Sequence, residues 1–513
     1  MTTVRFADDR LYDEARSVLR GAGFDDATIK QQLKVGSIDE ARKLGRTALL
    51  ARTASGTPLD TLIRCLLCGH DVGGGAFERA VAPMAPSAWV EAGVVARDGD
   101  VVRPLLAFTP LVGKVFVHDL GVPAGTKPRA DYVMGAASSS MTLANITVRR
   151  KCGTAMDLGT GCGVQAVLAA DHCERVIATD MNERAVMLAA FTARLNGHTN
   201  VEAKFGSLYE PVEGLGFDMV VSNPPFVISP SKEFIYRDGG LHGDGISEAV
   251  IRGAAERLNP GGTASILCNW AHLKGRDWQE RLASWAGATG CDMWVLRSWA
   301  SDPSEYAARW LTHSENLEGE GLRTAHREWM EYYEAAGIEA MGSGVVTLRR
   351  SGERGASGWA RFSEAPDKML GECGDQVLAM MGRWGAIEKM SDEDVRRAPV
   401  RVSPDVRITR ETRPATAQER ESDGSAWALT SARVRVARGL AYEGTLDPVT
   451  LQIMGSLDGR APVGDVVSAV ATGLGLDAGR LMGPVVGVVR KWLELGMVEA
   501  EATERRSDRS TEG

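Results

Sequence analysis

Two strand-to-loop junctions constrain this chain more than any other feature. The first follows the apolar run 154–158: Asp157-Leu158-Gly159-Thr160-Gly161-Cys162-Gly163, then the small apolar stretch Val164–Ala170. A glycine-rich turn between a strand and a helix lets the main chain approach a ligand where any side chain would collide. The following helix aims unpaired N–H groups at that ligand. Asp180 ends the next strand-like run, 21 residues after Gly159. A carboxylate at that spacing is placed to accept the two hydroxyls of a ribose. Gly159, Gly161, Gly163 and Asp180 therefore predict a site for a nucleotide-like cofactor, with Asp157, Thr160 and Met181 in the same set. A dinucleotide site would normally carry a third-position glycine where Gln165 and Ala166 stand, and a plain strand–turn–helix crossover needs no acid at 180.

The second junction ends the run Phe217–Ser222 in Asn223-Pro224-Pro225-Phe226. An amide or aromatic amine nitrogen is a poor nucleophile because its lone pair is delocalised. A site can help by accepting the two N–H groups and aiming the lone pair at an electrophile. The Asn223 side-chain oxygen can accept one N–H, and the Pro224 carbonyl the other. Proline suits this turn because its φ is fixed and it has no N–H. Phe226 offers a face for a planar group. Such catalysis is mostly positioning and electrostatics. The bland alternative is a tight loop, since Asn and Pro are common turn residues.

Between and after these junctions, strands and helices alternate. Candidate strands are 154–158, 175–180, Val201–Phe205, Phe217–Ser222, 263–268, 293–297 and 345–349, with helices such as Glu183–Leu195 and 246–258 between them. This order predicts an α/β fold, a mostly parallel sheet covered on both faces. At 513 residues the chain is too long for one ordinary domain. We divide it into 1–115, 116–352, 353–502 and a polar tail at 503–513 expected to be disordered. The first part reads as helices, including 12–22, 60–68 and 76–81. A hairpin follows at 94–102, where Asp98-Gly99 separates two valine pairs. The third part reads as strand and loop over 396–420, then helices from Asp447 and a closing strand near Val498. Both flanks resemble winged helices in outline, with no residue-level repeat between them.

The formal net charge of −8 argues against a protein that coats nucleic acid by bulk charge. Arginines 396, 397, 401, 407, 410 and 413 can meet phosphates, although Asp392, Glu393, Asp394, Asp405 and Glu411 interleave with them. Tryptophans 270, 278, 285, 294 and 299 read as core and pocket residues. Eight cysteines in a chain of this length point to reduced thiols. Cys65 and Cys68 form a CxxC with His70 nearby but no fourth ligand, so no metal is expected and both thiols read as packing on an apolar helix. No apolar run is long enough to span a bilayer, so we expect a cytoplasmic protein with no membrane partner.

With both junctions in view, residues 117–350 resemble the class I methyltransferases that carry N/D-P-P-Y/F/W, of the "small domain" type. They are most similar to the release-factor glutamine and the rRNA and tRNA base N-methyltransferases. Tyr236-Arg237-Asp238-Gly239-Gly240-Leu241-His242-Gly243-Asp244-Gly245 matches a further shared segment. The resemblance implies a Rossmann-like sheet of seven strands with the last reversed. It implies S-adenosylmethionine (SAM) as cofactor and Asn223 as the residue that orients the acceptor. Ser207 stands where the family often has an aspartate against the adenine amino group, with Leu208 beside it. The implied acceptor is an RNA or DNA base, or a glutamine in a protein of the translation machinery. Alternatives are a small-molecule or peptide N-methyltransferase and a winged-helix binding protein that senses SAM.

Overall fold

The alternation of strands and helices builds one sheet of eight strands in the computed structural model, which describes residues 3–122, 126, 128–230, 241–314, 319–418, 420 and 424–500. The strands are β1 (Cys152–Leu158), β2 (Cys173–Asp180), β3 (Val201–Phe205), β4 (Phe217–Ser222), β5 (Leu258–Leu273), β6 (Cys291–Ser301), β7 (Ile338–Arg350) and β8 (Ala360–Glu364). Their order across the sheet is β8-β6-β7-β5-β4-β1-β2-β3. Strands β1 to β5 run parallel, and β7 lies antiparallel between β5 and β6. The reversed seventh strand is as expected. The expected count of seven is corrected by β8, which pairs parallel to the outer edge of β6. The chain runs outward from β1 to β3 and returns to β4 beside β1. That reversal opens a crevice at the carboxyl ends of β1 and β4, where ligands of open α/β sheets bind.

The helices are α1 (Ser138–Ile146), α2 (Val164–Ala170), α3 (Glu183–Leu195), α4 (Gly245–Arg257), α5 (Trp278–Ala286), α6 (Pro303–Ser314) and α7 (Gly319–Ala335). Ala155, Met156 and Leu158 of β1 and Met219, Val220 and Val221 of β4 are all buried, as strands covered on both faces require. The Asn182 side chain caps α3 by accepting the Arg184 N–H at 3.0 Å. Gly163 opens α2 with φ +85°, and a Cβ there would lie 3.1 Å from the Cα of Ala189 in α3. Only glycine lets the two helices approach so closely.

The chain divides into two compact units, Met1–Glu364 and Ala365–Gly513. In the first, the helix Asp9–Gly21 buries Tyr12, Ala15, Val18 and Leu19. It packs on α3, where the Phe6 and Tyr12 rings lie 5.3 and 5.2 Å from Phe191. Arg16 donates to the Leu195 and Arg194 carbonyls at 2.8 and 3.0 Å, which satisfies acceptors at the end of α3. The hairpin forms as expected, with Val95–Asp98 paired to Val101–Pro104 and Gly99 at φ +57°. Val72–Gly73 adds a third strand, and the helices Gly74–Val81 and Pro86–Glu91 precede the hairpin.

In the second unit, the helix Asp392–Arg397 corrects only the first two residues of the strand-and-loop reading of 396–420. Ser391 and Asp394 form a capping box, a local signal that outweighs the later prolines. Strands Pro399–Val402 and Val406–Pro414 follow. The helices Pro448–Gly455, Val463–Gly473 and Ala478–Leu495 and the closing strand Val498–Ala500 lie where expected.

The cysteines need one correction. Cys152 and Cys173 are disulfide-bonded across β1 and β2, with Cα atoms 4.7 Å apart. Parallel register sets these two residues directly opposite, which a separation of 21 residues does not reveal. Cys65 is free and fully buried, and burial pushes its thiol up to about 12. Trp270, Trp285 and Trp294 are fully buried, Trp278 stacks on Trp270 at 5.5 Å, and Trp299 lies half-buried against Tyr306. The segment 236–240 and the tail 503–513 lie outside the described residues.

The packing of α2 on α3 yields a stability test. Gly163→Ala adds a contact against packed backbone and is expected to cost about 2–3 kcal/mol. Gly161→Ala meets nothing within 4 Å and is expected to cost only about 1–2 kcal/mol, from its positive φ. Urea unfolding of both variants checks the ranking.

Candidate cofactor and acceptor site

The turn after β1 is held by one buried carboxylate. Asp157 Oδ2 accepts the Thr160 hydroxyl at 2.6 Å and the Ala166 N–H at 2.9 Å. It therefore ties the turn to the first residues of α2. Gly159 and Thr160 both donate their N–H groups to the Thr179 carbonyl of β2, at 2.9 and 3.0 Å. Asp180, at the end of β2, accepts the Gly161 N–H on Oδ2 and the Asn182 N–H on Oδ1, each at 2.9 Å. Each Asp180 oxygen keeps a lone pair for a ligand hydroxyl. Burial raises both carboxyl groups, Asp157 up to about 7.

The turn after β4 is brought against the first. The Ser222 hydroxyl donates to the Leu158 carbonyl at 2.8 Å. A Cβ on Gly159 would lie 3.7 Å from the Pro224 Cα. The Asn223 Nδ2 faces the Ser139 hydroxyl of α1 at 3.5 Å, which leaves its Oδ1 as the acceptor.

Together these turns line a cavity of about 330 Å³, a normal size for a small-molecule site. Asp157, Gly159, Thr160, Gly161, Asp180, Met181, Ser207, Leu208, Asn223, Pro224, Pro225 and Phe226 all line it. Gly163 does not, and its place is the packing of α2 on α3. Leu208 has φ +48°, a left-handed backbone that is strained for leucine. Gly159 and Gly161, both at positive φ, form a cradle without side chains. That cradle, with the Asp180 carboxylate, fits a ribose-bearing cofactor.

Residues 136–278, from just before α1 to the start of α5, match the family described as methyltransferase small domain. This segment belongs to that family. The methyltransferase domain is 34% identical over 128 residues to the release factor glutamine methyltransferase of Xylella fastidiosa (strain Temecula1 / ATCC 700964), covering 22% of this chain and 46% of that protein. It is 32% identical over 133 residues to the ribosomal RNA small subunit methyltransferase C of Shigella flexneri serotype 5b (strain 8401), covering 26% of this chain and 35% of that protein. The chain thus spans less than half the length of these two relatives. The T. thermophilus 16S rRNA N2 G1207 methyltransferase, solved with AdoMet and guanosine, aligns at TM-score 0.25 and 19% identity over 48% of this chain and 65% of that one. Residues 37–105 match a domain of unknown function (DUF7059).

Several residues that shape the cavity lie outside the methyltransferase domain match and carry no sequence motif. Tyr132, Val133, Met134 and Gly135 line it from a segment before α1. Asp119 pins that segment by accepting the Val133 N–H at 2.8 Å and holding the Arg184 guanidinium. Asn182 Nδ2 donates to the Asp131 carbonyl at 3.0 Å. On the other side, α6 and α7 are inserted between β6 and β7. Trp310 of α6 lines the cavity and meets Phe226 edge-on, with ring centroids 6.3 Å apart. Tyr306 of α6 accepts the Ile228 N–H at 3.0 Å, and Tyr333 of α7 donates to the Ile228 carbonyl at 2.7 Å. The two inserted helices therefore hold both backbone groups of the residue that follows the Asn-Pro-Pro-Phe turn by two positions. Nothing in the sequence singled out the aromatic residues at 306, 310 and 333 or linked them to residue 228.

Two outcomes follow. Tyr306→Phe and Tyr333→Phe each strand a buried polar group of Ile228, and each is expected to cost about 1–3 kcal/mol in urea unfolding. Between its ordinary 3.8 and about 7, folded Asp157 holds a proton that the unfolded chain releases. Its contribution to stability is therefore fully present at low pH and declines as pH rises towards 7. Asp157→Asn cannot ionise, so its stability relative to the parent should improve from pH 5 to pH 7.5, as read by urea midpoints.

Proposed function

We propose that the chain is a SAM-dependent N-methyltransferase whose acceptor is a planar amide or exocyclic amino nitrogen of a macromolecule. The observation that carries this reading is one cavity lined by both the Gly159-Thr160-Gly161 turn and the Asn223-to-Phe226 turn. Asp180 would bind the ribose hydroxyls, and the glycine turn would lie along the rest of the cofactor. Ser207 and Leu208 would border the adenine. When bound, SAM supplies an electrophilic methyl group and leaves as the neutral thioether S-adenosylhomocysteine.

The acceptor end is the work of this chain's own residues. Asn223 Oδ1 accepts one acceptor N–H and the Pro224 carbonyl accepts the other. That pair fixes the nitrogen and turns its lone pair towards the methyl group. Pro225 keeps the turn stiff. Phe226 takes the flat face of the acceptor, with Trp310 closing the corner. The names of the two relatives, one for a release factor glutamine and one for ribosomal RNA, support both acceptor types. They also support substrates of the translation machinery, which a cytoplasmic location fits. The order helix, strand, two helices, hairpin supports the winged-helix reading of the N-terminal flank, and we extend that reading to the C-terminal flank.

The test incubates the purified protein and methyl-labelled SAM with lysate of cells lacking it, then splits the sample between ribonuclease and protease. Label lost to ribonuclease alone assigns an RNA base, and label lost to protease alone assigns a protein glutamine. Asn223→Ala should lower the rate about 100-fold or more with SAM affinity kept. An unchanged rate in that variant would remove Asn223 from the mechanism.

A further inference from the structure

The Asn223 side chain makes one hydrogen bond among the described residues, and its partner lies on a different element. Nδ2 donates to the Ser139 hydroxyl at 3.5 Å. Ser139 stands in the first turn of α1, outside both site turns, and both residues line the cavity. Helix α1 is itself tied to the cofactor side. Gln165 of α2 is buried and donates its Nε2 to the Ser140 carbonyl at 2.8 Å. The next residue, Ala166, is the one whose N–H Asp157 accepts. Leu143, Ala144 and Ile146 bury the inner side of α1. The Ser139 hydroxyl is therefore placed by the framework that also fixes the glycine turn.

The main chain at this turn is fixed separately, because the preceding Ser222 hydroxyl donates to the Leu158 carbonyl at 2.8 Å. That bond places the backbone and leaves the Asn223 amide to be held by something else. A side chain that is ordered only when the acceptor arrives loses rotamer freedom at that moment, whereas an anchored one has lost it already. Hydrogen bonds in a chain also polarise one another, so an amide that donates through Nδ2 offers a stronger acceptor at Oδ1. A serine hydroxyl can accept from Nδ2 or donate to Oδ1. Ser139 thus anchors the amide, and the N–H groups of the acceptor select the sense that offers Oδ1. A separation of 3.5 Å is long for such a bond, and contacts of this kind tighten when substrate closes on them.

The hydroxyl has no structural employment within α1. Among the described residues Ser139 Oγ makes no other hydrogen bond, and it caps no backbone group of the helix. We propose that Ser139 is a positioning residue of the acceptor site, whose hydroxyl anchors the Asn223 amide in the pose that receives the nitrogen to be methylated. It acts through Asn223 and touches neither the nitrogen nor the methyl group. The inference rests on the methyl-transfer reading of the cavity and adds to it a residue from α1.

The full chain is compared with S139A, N223A and S139A/N223A. Saturating methyl-labelled SAM and lysate of cells lacking the protein give initial labelling rates, and calorimetry gives SAM affinity. S139A should label at least about 5-fold more slowly, the scale of one side chain's rotamer freedom, with SAM affinity within about 2-fold of the parent. Added to N223A, it should change the rate by less than about 2-fold, because the amide it holds is gone. S139T returns a hydroxyl and should recover most of the parent rate. An S139A rate equal to the parent's overturns the proposal. So does a loss as large in the N223A background as in the parent, since Ser139 would then act on its own. A matching loss of SAM affinity overturns it in favour of a cofactor contact. S139T decides the case if S139A unfolds at lower urea: a rate no better than that of S139A overturns the proposal. A parent chain that neither binds SAM nor labels the lysate removes the methyl-transfer reading and this inference with it. A parent that labels, with S139A labelling equally, removes this inference alone.

Discussion

The Asp157 carboxylate, buried at the end of the central strand, holds the cofactor turn and the first turn of α2 through one oxygen. Without that brace a turn with three glycines at positive φ would have no fixed shape. With it, the N–H of Gly161 is presented to Asp180, and β1 and β2 end in register. The cost is a carboxyl group kept out of water, which is why its proton is held to about pH 7. The Ser222 hydroxyl then fastens the acceptor turn to the same strand end at Leu158. The two halves of the site are thus one hydrogen-bonded assembly at the point where the sheet reverses direction.

Around that assembly the chain adds parts that lie outside the small-domain match. The segment ending at Gly135 is fixed by Asp119 and Asn182, and it closes the cofactor side. Helices α6 and α7 clamp Ile228 with two phenol groups, so the acceptor turn is held from its far end as well. Positioning of this kind matters because the proposed transfer needs no proton removed before the methyl group moves, only geometry, and the methylated nitrogen then gives up its extra proton to water. An acceptor nitrogen displaced by a fraction of its hydrogen-bond length loses its aim.

Much of this was legible in the sequence. The strands β1 to β4, the glycine turn, the acid at 180 and the Asn-Pro-Pro-Phe turn were all read correctly in place, because each is a local pattern bounded by apolar runs. Gly163 was grouped with the ligand glycines, since spacing alone does not tell a cradle from a packing contact with Ala189. The strand β8 escaped notice because its residues alternate weakly and are half-exposed. The helix Asp392–Arg397 was missed because prolines drew attention from its capping box.

The sequence by itself determined the class of the central domain and the identity of both turns, because glycine, proline and asparagine impose backbone conformations that depend on neighbours in the chain. Only the tertiary structure decided that the two turns share one cavity, that Cys152 meets Cys173, and that Trp310 faces Phe226. It also decided that Ser139 sits beside Asn223. Each of these depends on strand register or helix placement. Those follow from the packing of apolar surface across the whole domain, and no short window of sequence carries that information.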